Sequence, residues 1–330
     1  MDGVSVIVCC YNSLARIEKT LRHLSLQKTE GVAWEVIIVD NGSTDDTKNF
    51  ILSISTSLFP SGRLRIVDQP IKGLSSARAK GVESASYDSV IFCDDDNWLS
   101  SDYVYQVHRI FNSDKNIGAI GGKGIPATDV KLPDWFDKFG HLFATGPQGS
   151  QSGEVVSPTG SLYGAGLAIR KDIFDQFKKR GYSPFLTDRT GAKLTSGGDT
   201  ELCYIIRLMG FKLWYSDTLT FQHFLPAGRL TEDYLKRLFR SMNESYMLLI
   251  TYRYALMGVP IGRATWLKDF MYQLLFYTKG VASHLIQRNE RSRLEADASR
   301  FKLSAMLAQA GSYRSRIFAM NKLATGSREI

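Results

Sequence analysis

Two short apolar runs constrain this chain more than any other feature: VSVIVC at Val4 to Cys9 and WEVIIVD at Trp34 to Asp40, each rich in β-branched residues and cut off by polar ones. Between them Leu14, Ile17, Leu21 and Leu24 recur at helical spacing, so the segment reads as strand, helix, strand. Ser43-Thr44-Asp45-Asp46 offers N-caps for a second helix, and Leu64 to Val67 and Ser89 to Cys93 supply further strands. Apolar strands alternating with helices predict an α/β fold, a mainly parallel sheet covered on both faces, with ligands beyond the carboxyl ends of the strands. The polar residues at those ends are Tyr11-Asn12, Asp40-Asn41-Gly42-Ser43 and Asp94-Asp95-Asp96-Asn97.

Beyond the last of these, Gly118 to Pro158 is rich in Gly, Pro and aromatics and reads as long loops with short strands, with Gly121-Gly122-Lys123-Gly124 as a turn. Gly164 to Ile169 looks like a small-residue strand and Lys171 to Lys179 like a helix. After Glu232-Asp233 the periodicity is helical, over Tyr234 to Met257 and Trp266 to Ile286. The first strand is not followed by GxGxxG, and Gly121 to Gly124 lacks the spacing of a phosphate-binding loop.

Charge divides the chain. Its 41 Lys+Arg and 33 Asp+Glu give a net charge of +8. From Thr231 onward there are 16 basic and 8 acidic residues, so residues 1–230 are neutral and the whole excess sits in the last hundred. That basicity points to a partner separate from the catalytic core. Cys9, Cys10, Cys93 and Cys203 lack the paired spacing of a zinc site and read as reduced thiols. With neither a long apolar run nor a basic leader after Met1-Asp2-Gly3, the expected location is the cytoplasm.

Asp94, Asp95 and Asp96 repel one another unless a cation compensates. A divalent ion, Mn²⁺ or Mg²⁺, would take one or two of these carboxylates together with substrate phosphates. In an extended stretch Asp94 and Asp96 point one way and Asp95 the other; a solvated acidic turn is the alternative. Asp40 can accept from a nucleobase or ribose, or close an Asx turn with Asn41-Gly42-Ser43. Trp135, between Asp134 and Phe136, suits sugar stacking or plugs the core under its loop.

The motifs VSVIVCCYN (Val4 to Asn12), VDNGSTDDT (Val39 to Thr47), GLSSARAKGVESA (Gly73 to Ala85) and FCDDDNWL (Phe92 to Leu99) occur in this order. GAGLAIRKDIF (Gly164 to Phe174) and GGDTELCYIIRLMGFKLWY (Gly197 to Tyr215) follow. Together they resemble family 2 glycosyltransferases of the GT-A fold over about the first two-thirds of the chain. The resemblance implies a Rossmann-like mixed sheet. Tyr11 and Asp40 would hold the nucleobase, with Asn12, Asn41, Gly42 and Ser43 as rim. Arg78 would meet the diphosphate or stabilise the aspartate cluster, with Asp94 and Asp95 on the donor and Asp94 and Asp96 around the metal; His223 would complete metal or diphosphate binding, or be a structural histidine. Asp199 would be the catalytic base, with Glu201 as understudy, and Asp134, Trp135, Phe136 and Gly198 would contact the acceptor. Three positions depart from the family pattern: Cys9-Cys10 replaces Pro-Thr, Lys80 replaces Asn, and Gly198 replaces the first acid of the pair before the base.

The chemistry agrees. Moving a sugar from a nucleoside diphosphate needs a cation on the departing diphosphate, a carboxylate to take the acceptor proton, and a pocket that orients both. One base opposite the leaving group predicts inversion. The organisation expected is a catalytic region 1–230, divided into a nucleotide-binding half 1–100 and an acceptor-binding half 101–230, then a basic amphipathic helical region 231–330. The expected acceptor is a glycan or lipid-linked sugar. The basic region would meet an anionic membrane on the inner face of the cell, pack on the catalytic region or form a homodimer; nucleic acid is not an expected partner. Two other readings are a catalytically inert sugar-nucleotide-binding or scaffold protein, and a sugar nucleotidyltransferase.

Overall fold

Strand alternation decides which side of the sheet each residue serves. In the computed structural model, which describes residues 1–179, 186, 196–260, 262–288, 290–308, 310–312, 315 and 316, Ile7, Ile37, Val39, Val90 and Phe92 enter one core, while Val6, Val8, Val36, Ile38 and Ile91 enter the other. Fully burying each such side chain is worth about 1.5–3 kcal/mol, so a one-residue slip in register would turn both sets to the wrong face.

The elements run β1 (Val4–Cys10), α1 (Ile17–Ser25), β2 (Trp34–Asp40), α2 (Thr47–Leu58), β3 (Leu64–Asp68), α3 (Leu74–Ser84), β4 (Ser89–Asp94), β5 (Asn97–Leu99) and α4 (Tyr103–Ser113). Then come β6 (Ile117–Ala127), α5 (Phe136–Phe139), β7 (Gly153–Glu154), β8 (Ala168–Arg170), α6 (Lys171–Lys179), α7 (Gly198–Leu208) and β9 (Lys212–Phe224). The last helices are α8 (Glu232–Leu248), α9 (Ile250–Leu256), α10 (Arg263–Gln287) and α11 (Glu290–Ala308). The sheet order is β3-β2-β1-β4-β8-β6-β9-β5, with β7 also on β9. Strands β1 to β4 are mutually parallel, and β8 enters antiparallel between β4 and β6. It is the mixed, mainly parallel α/β sheet with flanking helices and a C-terminal helical region that the sequence predicts. Register sets Cys10 opposite Asp40 and Cys9 opposite Asp94, so the carboxyl ends of β1, β2 and β4 finish level.

The stretch read as loops holds an eleven-residue strand, β6, pairing with β8 and β9. Gly121 to Gly124 is thus strand and not turn. The reason is close backbone approach: a Cβ on Gly122 would stand 2.2 Å from the Leu219 carbonyl oxygen, and one on Gly124 2.1 Å from that of Ala144. Glycine is required there, and it hides the strand signal. Of Gly164 to Ile169, only Ala168 and Ile169 lie in β8.

The Thr231 hydroxyl accepts from the Tyr234 N–H at 3.2 Å and caps α8. Helix α11 packs between α8 and α10. Among the described residues no helix is long and apolar enough to cross a membrane.

Candidate active site

The level strand ends open into a cavity of about 650 Å³. One wall comes from β1, α3 and β4 (Tyr11, Arg78 and Asp94 to Asp96), and the facing wall from the segment before β8, the start of α7, and α8 (Gly164, Asp199, Ser245).

On the first wall the strand-end residues brace one another. Asn12, at φ +50°, accepts from the Thr44 N–H at 2.8 Å, and its own N–H donates to Ser43 Oγ at 3.1 Å. Asp40 Oδ1 accepts from the Ser43 N–H at 3.2 Å, closing the Asx-type turn over Gly42, whose φ is +77°. Asn41 is buried; its Nδ2 donates to the Gln69 and Ile71 carbonyls, and its Oδ1 accepts from the Gly73 N–H at 2.7 Å. These bonds hold Lys72 over the Tyr11 ring, 5.3 Å from its centroid. Tyr11 and Asn41 line the cavity, whereas Asn12, Asp40, Gly42 and Ser43 do not.

The three aspartates separate by role. Strand β4 ends at Asp94, and Asp95 and Asp96 form a turn into β5, so the stretch is not extended as the alternation argument assumed. Asp95 turns to the α1 side: Arg16 Nε donates to Oδ1 at 2.8 Å, Arg16 Nη2 approaches Oδ2 at 2.7 Å, and Ser13 Oγ donates to Oδ2. Thr20 Oγ1 donates to its carbonyl at 2.9 Å. Burial, then the neighbouring Asp96 charge, raises the Asp95 pKa against the opposing pull of Arg16. With both its oxygens bonded, Asp95 latches the start of α1 to the end of β4 while still lining the cavity.

Asp94 Oδ1 lies 3.6 Å from Arg78 Nη2, and that guanidinium sits over the Phe92 ring at 5.1 Å. Asp96 is buried; Arg229 Nη1 donates to its Oδ2 at 3.0 Å, and Asn97 Nδ2 donates to Oδ1 at 3.2 Å. The antiparallel β5–β9 pairing sets Asn97 opposite His223, which brings His223 Nε2 within 3.6 Å of Asp96 Oδ1. His223 Nδ1 donates to the Phe143 carbonyl at 2.7 Å and burial lowers the imidazole pKa, so the neutral ring accepts at Nε2 from Arg229 Nη1, 3.4 Å away. Although burial opposes it, the charge of Asp96 keeps Arg229 firmly protonated.

Asp199 lies in the first turn of α7, after Gly197 at φ +102°. Its Oδ2 accepts from the Gly164 N–H at 2.9 Å and its Oδ1 from the Thr200 N–H at 2.7 Å. A side chain on Gly164 would crowd its neighbours, with a Cβ 3.0 Å from Arg78 Nη2 and 3.1 Å from Asp199 Cβ. Gly164 thus lies between Asp199 and Arg78, and Arg78 in turn reaches Asp94.

Other expected residues fall elsewhere. Glu201 is wholly buried, accepting from the Leu186 N–H at 2.8 Å and from the Tyr252 hydroxyl; it faces the core because two residues along a helix turn a side chain about 200°. Gly198 does not line the cavity. Nor do Asp134, Trp135 and Phe136: Asp134 is exposed, and Trp135 stacks on Phe143 at 5.8 Å in a cluster with Phe136 and Leu230. Trp135 takes the core-plug alternative. Arg16 and Arg229 carry no motif; only tertiary pairing marks them.

Asp94, Asp96 and His223 Nε2 are oxygen and nitrogen donors of types that a divalent cation such as Mn²⁺ accepts. Among the described residues, however, no three His, Cys, Asp or Glu side chains stand close enough to make a ready metal cage, and Arg229 supplies the positive charge at Asp96.

Comparison with known proteins adds ancestry. The "Glycosyl transferase family 2" signature matches residues 5–177. Poly-beta-1,6-N-acetyl-D-glucosamine synthase of Staphylococcus aureus (strain COL) is 32% identical over 123 residues, 37% of this chain and 28% of that protein. Glycosyltransferase GlyA of Streptococcus pneumoniae serotype 4 is 26% identical over 282 residues, 79% of this chain and 36% of that protein. The chain thus spans only 28–36% of the length of these curated relatives. Among solved structures, S. aureus TarS 1-349 superposes with a TM-score of 0.51 at 14% identity, over 99% of this chain and 91% of that one. GalNAc-T7 with UDP, GalNAc and Mn²⁺ superposes with a TM-score of 0.50 at 15% identity, over 81% and 53%. These two likenesses show the GT-A fold alone. The family signature covers more than half of the chain, including the strand ends that carry Tyr11, Asp40 and Asp94 to Asp96, and on that ground the chain belongs to glycosyl transferase family 2.

Proposed function

We propose that the chain transfers a sugar, with inversion, from a UDP-sugar to a hydroxyl of a glycan or lipid-linked acceptor, on the cytoplasmic side. The carrying observation is that Asp199 reaches the same cavity as Arg78 and Asp94, with Gly164 between them. The donor nucleotide supports the choice of UDP only by likeness: TarS 1-349 in complex with UDP-GlcNAc superposes with a TM-score of 0.50 at 14% identity.

In this reading Tyr11 stacks on the base and Lys72 and Arg78 face the diphosphate. Asp94, Asp96 and His223 would hold a divalent cation, which when bound offsets the charge of the leaving diphosphate. Arg229 must then give up Asp96. Asp199 accepts the proton of the acceptor hydroxyl as it attacks C1 of the sugar opposite the departing diphosphate, and the amides of Gly164 and Thr200 keep that carboxylate aimed. The free cysteines fit a reducing compartment; burial pushes the Cys9 thiol up to about 12 and so keeps it protonated.

The test is Asp199→Asn, assayed with a panel of nucleotide sugars and Mn²⁺. Turnover falls by about 10²-fold or more, while UDP affinity, measured by calorimetry, is unchanged. An inert binding protein would release no UDP in either form, and normal turnover in the variant would remove Asp199 from the mechanism.

A further inference from the structure

Helix α10 is the outermost layer of the C-terminal region, and its inner side is held by α11, where Gly280 lies against the Ala296 backbone. Its outer side is apolar. Leu267, Met271, Leu274, Leu275, Leu285 and Ile286 are 36–83% exposed, and at 3.6 residues per turn they fall within an arc of about 120°. No other described element gathers as many exposed large apolar side chains on one face. Lys268 and Lys279 border the arc on one side and Arg263 on the other, all exposed. The one acid of α10, Asp269, lies outside the arc and accepts from the Tyr254 hydroxyl at 2.5 Å.

From this we infer that the outer face of α10 docks on an anionic bilayer, lying in the interface with its leucines in the acyl boundary and its lysines and arginine among the headgroups. Charge selects this occupant. A second copy of the helix would set basic margins against basic margins with no acid to pair them, whereas anionic lipid complements them and the net +8 of residues 231–330. The helix cannot span: it lies in the plane of the membrane. The inference stands on exposure and charge alone, so a failure of the catalytic reading would leave it intact.

The full chain is sedimented with phosphatidylcholine/phosphatidylglycerol vesicles and with phosphatidylcholine vesicles alone. Binding is expected to the former, falling as salt rises, with little to the latter. Leu274→Glu with Leu275→Glu lowers binding by roughly tenfold or more, since it puts two carboxylates at the acyl boundary. Lys268→Glu with Lys279→Glu lowers it by roughly tenfold and removes most of the salt dependence. All four positions are solvent-exposed, and unchanged thermal unfolding and UDP affinity certify each variant as folded. Three results overturn the inference: no binding by the parent, binding by both variants equal to the parent's, or a parent dimer in sedimentation velocity that the leucine variant dissociates, which would assign the face to self-association.

Discussion

The two walls of the cavity are assembled by different means. The wall on β1, β2 and β4 takes its residues from the ends of adjacent parallel strands, and hydrogen bonds of Asn12 with Ser43 and of Asn41 with Gly73 brace it. The facing wall gathers Phe143, Gly164, Asp199, His223 and Arg229 from segments far apart in sequence. Its geometry depends on a strand inserted antiparallel and on the β5–β9 register. The first wall needs only the pairing of parallel neighbours; the second needs in addition the antiparallel insertion of β8 and the β5–β9 register.

This difference can be broken most severely at Glu201. Glu201→Ala strands the Leu186 N–H and the Tyr252 hydroxyl in the core and costs about 3 kcal/mol in denaturant unfolding. Asp199→Asn, two residues away, leaves stability nearly unchanged, so the pair separates a core acid from a cavity acid. A stable Glu201→Ala protein with no turnover would reverse the assignment.

A smaller effect tests the first wall. Asp95→Asn weakens the bidentate contact with Arg16 and destabilises by about 1–2 kcal/mol, with Mn²⁺-dependent UDP binding largely kept. Asp94→Asn does the converse: stability moves by no more than about 0.5 kcal/mol and nucleotide binding drops. If calorimetry and unfolding rank the two variants the other way, the latch and the ligand have been exchanged.

The smallest change expected is at the join of the walls. Arg229→Gln removes the cation seated on Asp96 and tightens Mn²⁺ binding by roughly fivefold, the equivalent of a partly exposed ion pair of about 1 kcal/mol. Calorimetric titration with MnCl₂ reads this directly; weaker binding would mean that Arg229 cooperates with the metal.

Much of the first wall was legible in advance because β-branched runs and their polar terminators are local signals: Tyr11, Asn41 and the three aspartates follow directly from where an apolar strand stops. Asp199 was found by motif, and Gly197-Gly198 before it marks the tight entry to α7. The same reasoning overreached with Glu201, since a motif does not say which helix face is covered. It also misread Gly121 to Gly124, where glycines serving a close strand crossing look like a turn.

By itself the sequence determined the α/β class, the strand–helix alternation and the strand ends where the site stands, because hydrophobic periodicity and turn chemistry act over a few residues. Only the tertiary structure decided that Asp95 latches to Arg16, that His223 and Arg229 converge on Asp96, that Trp135 plugs the core and that α10 leaves its leucines uncovered. Each of these depends on which segment packs alongside in three dimensions, and such packing leaves no local pattern to read.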